Sequence, residues 1–171
     1  MKNLVPHHFI TYSNKIIRFD DPTNNEYDIQ DIAKGLSFMA RFGGQTAQFL
    51  SVAEHSLSVM KAAPKELKFE ALMHDAAEAY MNDLSTPLKN LIPEYKEIEI
   101  RLLTDMAKKL NFNYPFDKRI KKIDDEIKVW EFENFKIGSS KMPLSVQQAA
   151  EQFIHSFYSL SQKVKTVRYD K

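Results

Sequence analysis

The chain has 171 residues, a formal net charge of +1, a hydrophobic fraction of 43% and no cysteine. This length and composition are typical of one folded domain with its own core. The small net charge argues against a binder of nucleic-acid polymers. The absence of cysteine excludes disulfides, thiolate metal sites and cysteine nucleophiles. No apolar run is long enough for a signal peptide or a membrane span, so we expect a soluble, cytoplasmic protein without a membrane partner.

The N-terminal part predicts a small β-hairpin followed by a first helix. Two β-rich runs between His8 and Phe19 flank Ser13-Asn14, and asparagine tolerates the positive φ of a tight turn. Residues 20–25 form a turn cluster by composition. Asp28 is placed to cap the first helix, which we expect to end at Gly43-Gly44.

The second helix begins with a capping box, Ser51-x-x-Glu54. Val52, His55 and Val59 follow at helical spacing, which places His55 on the buried face. A single histidine on an apolar stripe is more often a hydrogen-bonded core residue than a metal ligand. His55 alone therefore does not establish a site.

The third helix is expected to open at Pro64 and to end at a loop that begins near Asn82 and contains Asp83. Asp75 lies next to the inward face of this helix, one residue after His74. That face is formed, at helical spacing, by Leu67, Ala71, His74 and Glu78.

Three further helices complete the predicted fold, at about Pro93 to Leu110, Asp117 to Phe135 and Leu144 to Leu160. Residues 164–169 favour an extended tail. The sequence thus predicts a single all-α domain over residues 1–171. Its architecture is a bundle of about six helices with a small N-terminal hairpin.

Periodicity separates two adjacent acids on the fifth helix. We expect its inner stripe to be formed by Ile120, Ile123, Ile127 and Trp130. Asp124 follows Ile120 by four and precedes Ile127 by three, so it faces inward. Asp125 shares its side with Lys121 and Lys128, which is typical of a solvated face. Asp124 is therefore the candidate ligand.

Inward polar residues of three helices suggest one site for a divalent cation such as Co, Mn, Ni, Fe, Zn or Mg, since these ions accept mixed imidazole and carboxylate ligands. The candidate ligands are His55, His74, Asp75 and Asp124. Such an ion polarises a phosphate and lowers the pKa of a bound water. Glu78 follows Asp75 by three and could orient or deprotonate water, and Asp83 could protonate a departing alkoxide.

Arg41 and Lys89 are the nearest basic candidates for a substrate phosphate. These two residues, and Glu78 and Asp83, each also have a purely structural interpretation. Glu78 could be half of an exposed ion pair, and Asp83 could close a turn. Arg41 could be a charge at the C-terminal end of a helix, and Lys89 could be solvated.

Several segments together resemble the HD-domain metal-dependent phosphohydrolases. Within that family they resemble the bacterial 5′-deoxynucleotidases and their phage relatives, which include dATP triphosphohydrolases. The likeness covers about residues 9–135. The segments that carry it are SVAEHS at 51–56, HDAAE at 74–78 and DLSTPLK at 83–89, with DIQDIA at 28–33 and ARFGG at 40–44 for the phage-type members.

The resemblance implies the four metal ligands proposed above and makes Glu78 and Asp83 catalytic carboxylates. It implies that Arg41 lies over the substrate phosphate or sugar and that Phe42 contacts the sugar or base. The implied reaction cleaves the 5′-phosphoester of a deoxynucleotide. A monophosphate would give deoxynucleoside and phosphate, and a triphosphate, especially dATP, would give deoxynucleoside and triphosphate. A homo-oligomer is also implied.

Two departures leave the substrate preference open: Asn82 stands where relatives often have glycine, and Ser85 where they often have proline. Two rival functions also remain. One is an HD-type phosphodiesterase of a cyclic or signalling nucleotide, and the other is an inactive binding protein that retains the fold.

Overall fold

The structure is a computed structural model that describes residues 7–135 and 142–169. It is mostly helical with one two-stranded antiparallel hairpin, which confirms the coarse architecture predicted above. The strands are β1 (His8–Ile10) and β2 (Ile16–Arg18), and the helices are α1 (Ile29–Phe38), α2 (Val52–Ala62), α3 (Lys68–Met73), α4 (Glu78–Met81), α5 (Thr86–Lys89), α6 (Pro93–Leu110), α7 (Lys118–Phe135) and α8 (Val146–Tyr169). The single domain over 1–171 stays a prediction, and it includes residues 1–6, 136–141 and 170–171, which lie outside the described residues.

The hairpin turns at the predicted place and is fixed to α1. Asn14 has a φ of 64°, the left-handed conformation expected for this turn. Ser13 donates from its backbone N–H and its hydroxyl to the Asp31 carboxylate, at 3.0 and 2.6 Å. Ile17 of β2 is fully buried in the core. The hairpin therefore belongs to the same packed unit as the helices.

Helix α1 ends earlier than predicted. It stops at Phe38, whereas we expected its end at Gly43-Gly44. Met39 is already extended, with φ −94° and ψ 123°, and Ala40 forms an isolated antiparallel bridge with Ser51. This pairing satisfies backbone groups that a longer helix would have used. It also brings the residues after Ala40 next to the start of α2.

The predicted third helix is divided. A 3-10 turn over Lys65–Leu67 leads into α3, and a tight turn separates α3 from α4. In that turn Glu78 N–H bonds to Asp75 O at 2.9 Å and Ala76 N–H to Met73 O at 3.0 Å. These bonds span three residues instead of four, so the backbone is wound more tightly than an α-helix. The prediction of one continuous helix from Pro64 is wrong.

The loop after α4 also contains an unpredicted element. Asn82 ends α4 with φ 70° and ψ 157°, a positive φ outside the left-handed helical region. The short helix α5 then follows, with Pro87 in its first turn.

Helices α6 and α7 have nearly the predicted bounds, whereas α8 is longer. The segment 164–169, predicted to be extended, continues α8 to Tyr169. None of the helices in the described ranges is long and apolar enough to cross a membrane.

Helices α2 and α3 lie between two apolar clusters. The main cluster joins the hairpin to α1, α2, α3, α4, α6 and α8, and a smaller one joins α2 and α3 to α7. Val52 packs in the main cluster, whereas Val59 packs in the smaller one beside Ile120 of α7. Burial of such side chains stabilises the fold by about 1.5–3 kcal/mol each. The two clusters hold α2, α3 and α7 against one another.

Two further close contacts join α1 to α4 and α6 to the segment 22–25. A Cβ added at Gly35 of α1 would lie 2.8 Å from the Ala79 carbonyl oxygen of α4, so only glycine permits this approach. Elsewhere, Lys109 of α6 lies within 3.1 Å of four acceptor oxygens. They are the carbonyls of Pro22, Thr23 and Asn25 and the carboxylate of Asp105.

Candidate metal centre

His55 is fully buried and bonded through both ring nitrogens. Its Nε2 lies 3.0 Å from Asp124 Oδ1 and 3.7 Å from Asp75 Oδ2. Its Nδ1 lies 3.0 Å from each carboxylate oxygen of Glu131. Burial and the charge of Arg41 oppose protonation, but the hydrogen bonds to Asp124 and Glu131 hold the pKa of His55 above its ordinary value. The ring is thus fixed from both sides.

His74 lies in the tight turn between α3 and α4. Its Nδ1 is 2.8 Å from the Ala71 carbonyl oxygen, which only accepts, so Nδ1 carries the hydrogen. Its Nε2 is 3.2 Å from Asp75 Oδ2 and 3.9 Å from Asp124 Oδ1. This Nε2 is buried and has no hydrogen-bond partner among the described residues. His74 therefore presents an unused ligand atom to two carboxylates.

The two candidate acids are held in their ionised form. Asp124 is 13% exposed and Asp125 56%, as the periodicity predicted. Burial opposes ionisation of Asp124, yet the hydrogen bond with His55 and the charge of His74 keep its pKa below the ordinary value. Burial opposes ionisation of Asp75 too, but the neighbouring charges of His74, His55 and Arg41 keep its pKa below the ordinary value.

Three of the predicted ligands form a group that could hold a metal ion. One ligand atom each from His55, His74 and Asp124 lies within 4.8 Å of the others. Ligands of one zinc-sized ion bond at about 2.0–2.2 Å, and so lie roughly 3–4 Å apart. The unpartnered Nε2 of His74 and this imidazole–carboxylate donor set fit such an ion. Asp75 lies beside both histidines, as given above.

Glu131 is part of this centre and was missed by the sequence analysis. We predicted that Trp130 faces inward, but Trp130 is 38% exposed, whereas Glu131 is 1% exposed. Glu131 follows Asp124 by seven residues and so lies two turns along the same helix face. That spacing was the available signal.

Arg41 links Glu131 to Asp83. The arginine is 4% exposed; its Nη1 donates to Asp83 Oδ2 at 3.1 Å, and its Nε lies 3.6 Å from Glu131 Oε2. Arg41 does not lie at the end of α1, which stops three residues before it. Burial and the charge of Asp75 raise the pKa of Asp83 above its ordinary value, although Arg41 opposes the shift.

Glu78 is buried and forms an ion pair with Lys89, whose side chain is 24% exposed. Lys89 Nζ donates to Glu78 Oε1 at 2.7 Å and to Glu99 Oε1 at 3.1 Å. Burial and the charges of Asp75 and Asp83 raise the pKa of Glu78 well above its ordinary value. The other oxygen of Glu78, Oε2, is buried and has no hydrogen-bond partner in the described part of the chain.

Apart from the buried His55 and Glu131, these groups line a cleft of about 910 Å³. The rings of Phe42 and Phe132 form part of its wall, edge to face with centroids 5.7 Å apart. The lysines of the cleft differ in their partners. Lys89 and Lys121 are paired with carboxylates, whereas in the described ranges no carboxylate pairs with Lys96, Lys118 or Lys128.

No family model matches the chain. It is 44% identical over 92 residues to the uncharacterized protein YfdR of Escherichia coli (strain K12), a match that covers 54% of this chain and 52% of that protein. It is 42% identical over 105 residues to an uncharacterized protein of Rhodobacter capsulatus, covering 56% of this chain and 53% of that protein. The chain thus spans about half the length of the curated relatives it matches. Neither likeness identifies an activity.

Proposed function

We propose that the protein is a divalent-metal-dependent phosphohydrolase of the HD-domain type that cleaves the 5′-phosphoester of deoxynucleotides. The observation that carries the proposal is the close grouping of the buried His55 with His74 and Asp124, two residues that line a cleft together with Glu78 and Asp83. Buried acids of this kind need a compensating charge, and a cation supplies one. The resemblance of the motifs to the HD family supports the same reaction.

In this proposal the ion is held by the three grouped residues and by Asp75, whose carboxylate lies against both histidines. When bound, the ion supplies charge stabilisation for the phosphate and lowers the pKa of water. The protein supplies the orientation of these ligands, because three packed helical segments position them.

The two remaining acids have environments suited to proton transfer. The pKa of Glu78 is raised and its Oε2 is unpartnered in the described structure, which suits it to act as a base toward water. The pKa of Asp83 is raised as well, so it can hold a proton for the departing 5′-oxygen. Arg41, bonded to Asp83, keeps that carboxyl in place and places a positive charge in the cleft.

The size and lining of the cleft support a nucleotide as substrate. A volume of about 910 Å³ lies within the usual range for small-molecule sites. The Phe42 and Phe132 rings offer an apolar wall for a sugar or base, and the unpaired lysines offer charge to further phosphates. Deoxyribose, the adenine preference and a homo-oligomeric assembly rest on the resemblance alone.

A two-metal phosphodiesterase is less well supported. Such a site needs additional histidine or acid ligands, and the described residues contain one candidate metal group. His155 of α8 is exposed and lies outside the cleft lining. Two metal ions per chain in a loaded sample would favour this rival.

The test incubates the metal-supplemented protein with each deoxynucleoside and ribonucleoside mono- and triphosphate and separates the products by chromatography. Phosphate released from deoxynucleoside monophosphates would establish a 5′-deoxynucleotidase, and intact triphosphate released from dATP would establish a triphosphohydrolase. Asp75→Ala serves as the metal-site control and should lose both bound metal and turnover. Absence of product from every nucleotide, with metal bound, would reject the proposed function.

A further inference from the structure

We propose that Glu131 is a positioning residue that holds a metal-ligating histidine and the cleft arginine in one arrangement; the proposal rests on the metal-dependent function proposed above. Both oxygens of Glu131 lie 3.0 Å from His55 Nδ1, and one of them lies 3.6 Å from Arg41 Nε. With 1% of its surface exposed, this carboxylate has no access to bulk water.

The burial of Glu131 requires these two partners. An ionised carboxylate removed from water costs several kcal/mol unless charged or hydrogen-bonding groups compensate it. His55 and Arg41 provide that compensation, and they come from two different parts of the chain. Glu131 therefore joins α7 to α2 and to the turn that carries Arg41.

For His55 the consequence is a fixed ring orientation. A carboxylate only accepts hydrogen bonds, so His55 Nδ1 carries a hydrogen and donates it to Glu131. Nε2 is then the nitrogen that faces Asp124 and Asp75. His74 achieves the same orientation with the neutral Ala71 carbonyl. A charged acceptor makes a stronger hydrogen bond than a neutral one and increases the basicity of the ligand.

For Arg41 the consequence is a defined direction of the guanidinium group. Asp83 accepts from Nη1, and Glu131 lies against Nε. Glu131 interacts with Nε as a charge and not as a hydrogen-bond acceptor, since Nε and Nη2 both have no hydrogen-bond partner among the residues that the structure describes; Arg41 also lines the cleft. The carboxylate of Glu131 thus orients both the candidate metal ligand His55 and the Arg41 guanidinium group, which lines the cleft.

The experiment measures Zn²⁺ affinity by competition with a chromophoric chelator for wild type, Glu131→Gln, Glu131→Asp and Glu126→Gln. Loss of a group that orients a metal-bound histidine typically costs 10–100-fold in affinity. We expect a loss in this range for Glu131→Gln and for Glu131→Asp, which keeps the charge but is shorter by one methylene. Glu126, an exposed acid on the same helix, is the matched control and should leave the affinity unchanged.

A second measurement needs no substitution at Glu131 and so does not depend on whether its variants fold. Long-range ¹H–¹⁵N spectra of the histidine rings, with His55 assigned from its missing signals in His55→Gln, report which nitrogen is protonated. We expect His55 to keep a proton on Nδ1 when Zn²⁺ is added, while the Nε2 resonance shifts.

Wild-type Zn²⁺ affinity in folded Glu131→Gln, or metal bound at His55 Nδ1, would overturn the proposal. Its failure is separable from that of the proposed function. If no nucleotide is hydrolysed but Glu131→Gln still loses Zn²⁺ affinity, the phosphohydrolase is rejected and the positioning role stands.

Discussion

The two histidines of the centre are held by different means. His55 lies within the regular helix α2, and its outer nitrogen bonds to Glu131 on α7, 76 residues later. His74 lies in a tight turn, and its outer nitrogen bonds to Ala71, three residues earlier. The His55 side, α2 with α7, therefore depends on packing between distant elements. The His74 side, residues 71–81, depends on local backbone geometry. Substitutions on each side should have distinguishable effects.

The largest effect is expected on the His74 side, at Glu78. Removal of a group that transfers a proton in the transition state typically costs 10²–10⁴-fold in rate, about 3–5 kcal/mol. We expect kcat of Glu78→Gln to fall by this factor while bound metal, measured by elemental analysis, is retained. Glu99→Gln is the matched control, because Glu99 also pairs with Lys89 but is more exposed. A Glu78→Gln enzyme within threefold of wild type would contradict the assignment.

The pH profile gives a second test of Glu78. Its pKa is raised above the ordinary value of 4.5, and a base must be deprotonated to act. The kcat/KM value should therefore fall as the pH falls through this raised pKa, so the acid limb lies above pH 4.5. In Glu78→Gln the residual activity should lack that limb. A limb at or below pH 4.5 in wild type would assign the proton transfer to another group.

Gly35→Ala should disturb the His74 side by displacing α4 from α1. The new Cβ would lie 2.8 Å from the Ala79 carbonyl oxygen, a backbone atom that cannot rotate away. Overpacking of this kind costs about 1–3 kcal/mol. We expect this loss in the free energy of unfolding from urea titrations, together with weaker Zn²⁺ binding as α4 shifts. Gln30→Ala, on the exposed face of the same helix, is the control. Unchanged stability would contradict this prediction and show that α4 moves away from the new methyl group at no cost.

Ser51→Ala should affect the His55 side least. Ser51 Oγ accepts the Glu54 N–H at 3.1 Å at the start of α2, and loss of such a cap costs about 1 kcal/mol. We expect this loss in urea titrations with Zn²⁺ affinity almost unchanged, because Asp124 and Glu131 still hold the His55 ring. Ser58→Ala, which removes a hydroxyl bonded within the helix to the Glu54 carbonyl, should be nearly neutral. A large loss of Zn²⁺ affinity in Ser51→Ala would remove the distinction between the two sides.

The sequence predicted what local periodicity determines. The hairpin turn at Asn14 is confirmed. The prediction that Asp124 faces inward and Asp125 faces solvent is confirmed as well. In both cases a repeat of two or of 3.6 residues distinguishes inside from outside without knowledge of any partner.

The errors arose where partners are distant or where two helix types share one pattern. The spacing of Ala71, His74 and Glu78 fits both an α-helix and a tighter turn, so the break after α3 left no signal. Glu131 is buried because Arg41 and His55, far away in sequence, compensate its charge. Periodicity places Glu131 on the same helix face as Asp124, but it contains no information on which distant residues compensate its charge.

The environment of Lys109 has a consequence for chemical labelling. An ammonium group has three N–H donors, and four acceptor oxygens surround this one, so its hydrogen-bonding capacity is saturated. Reductive methylation requires an amine released from its hydrogen-bond acceptors, and Lys108, the preceding residue of the same helix, makes none of these four contacts. The ratio of labelling at Lys109 to labelling at Lys108 therefore reports how often the segment 22–25 separates from α6, and it does so without any amino-acid substitution.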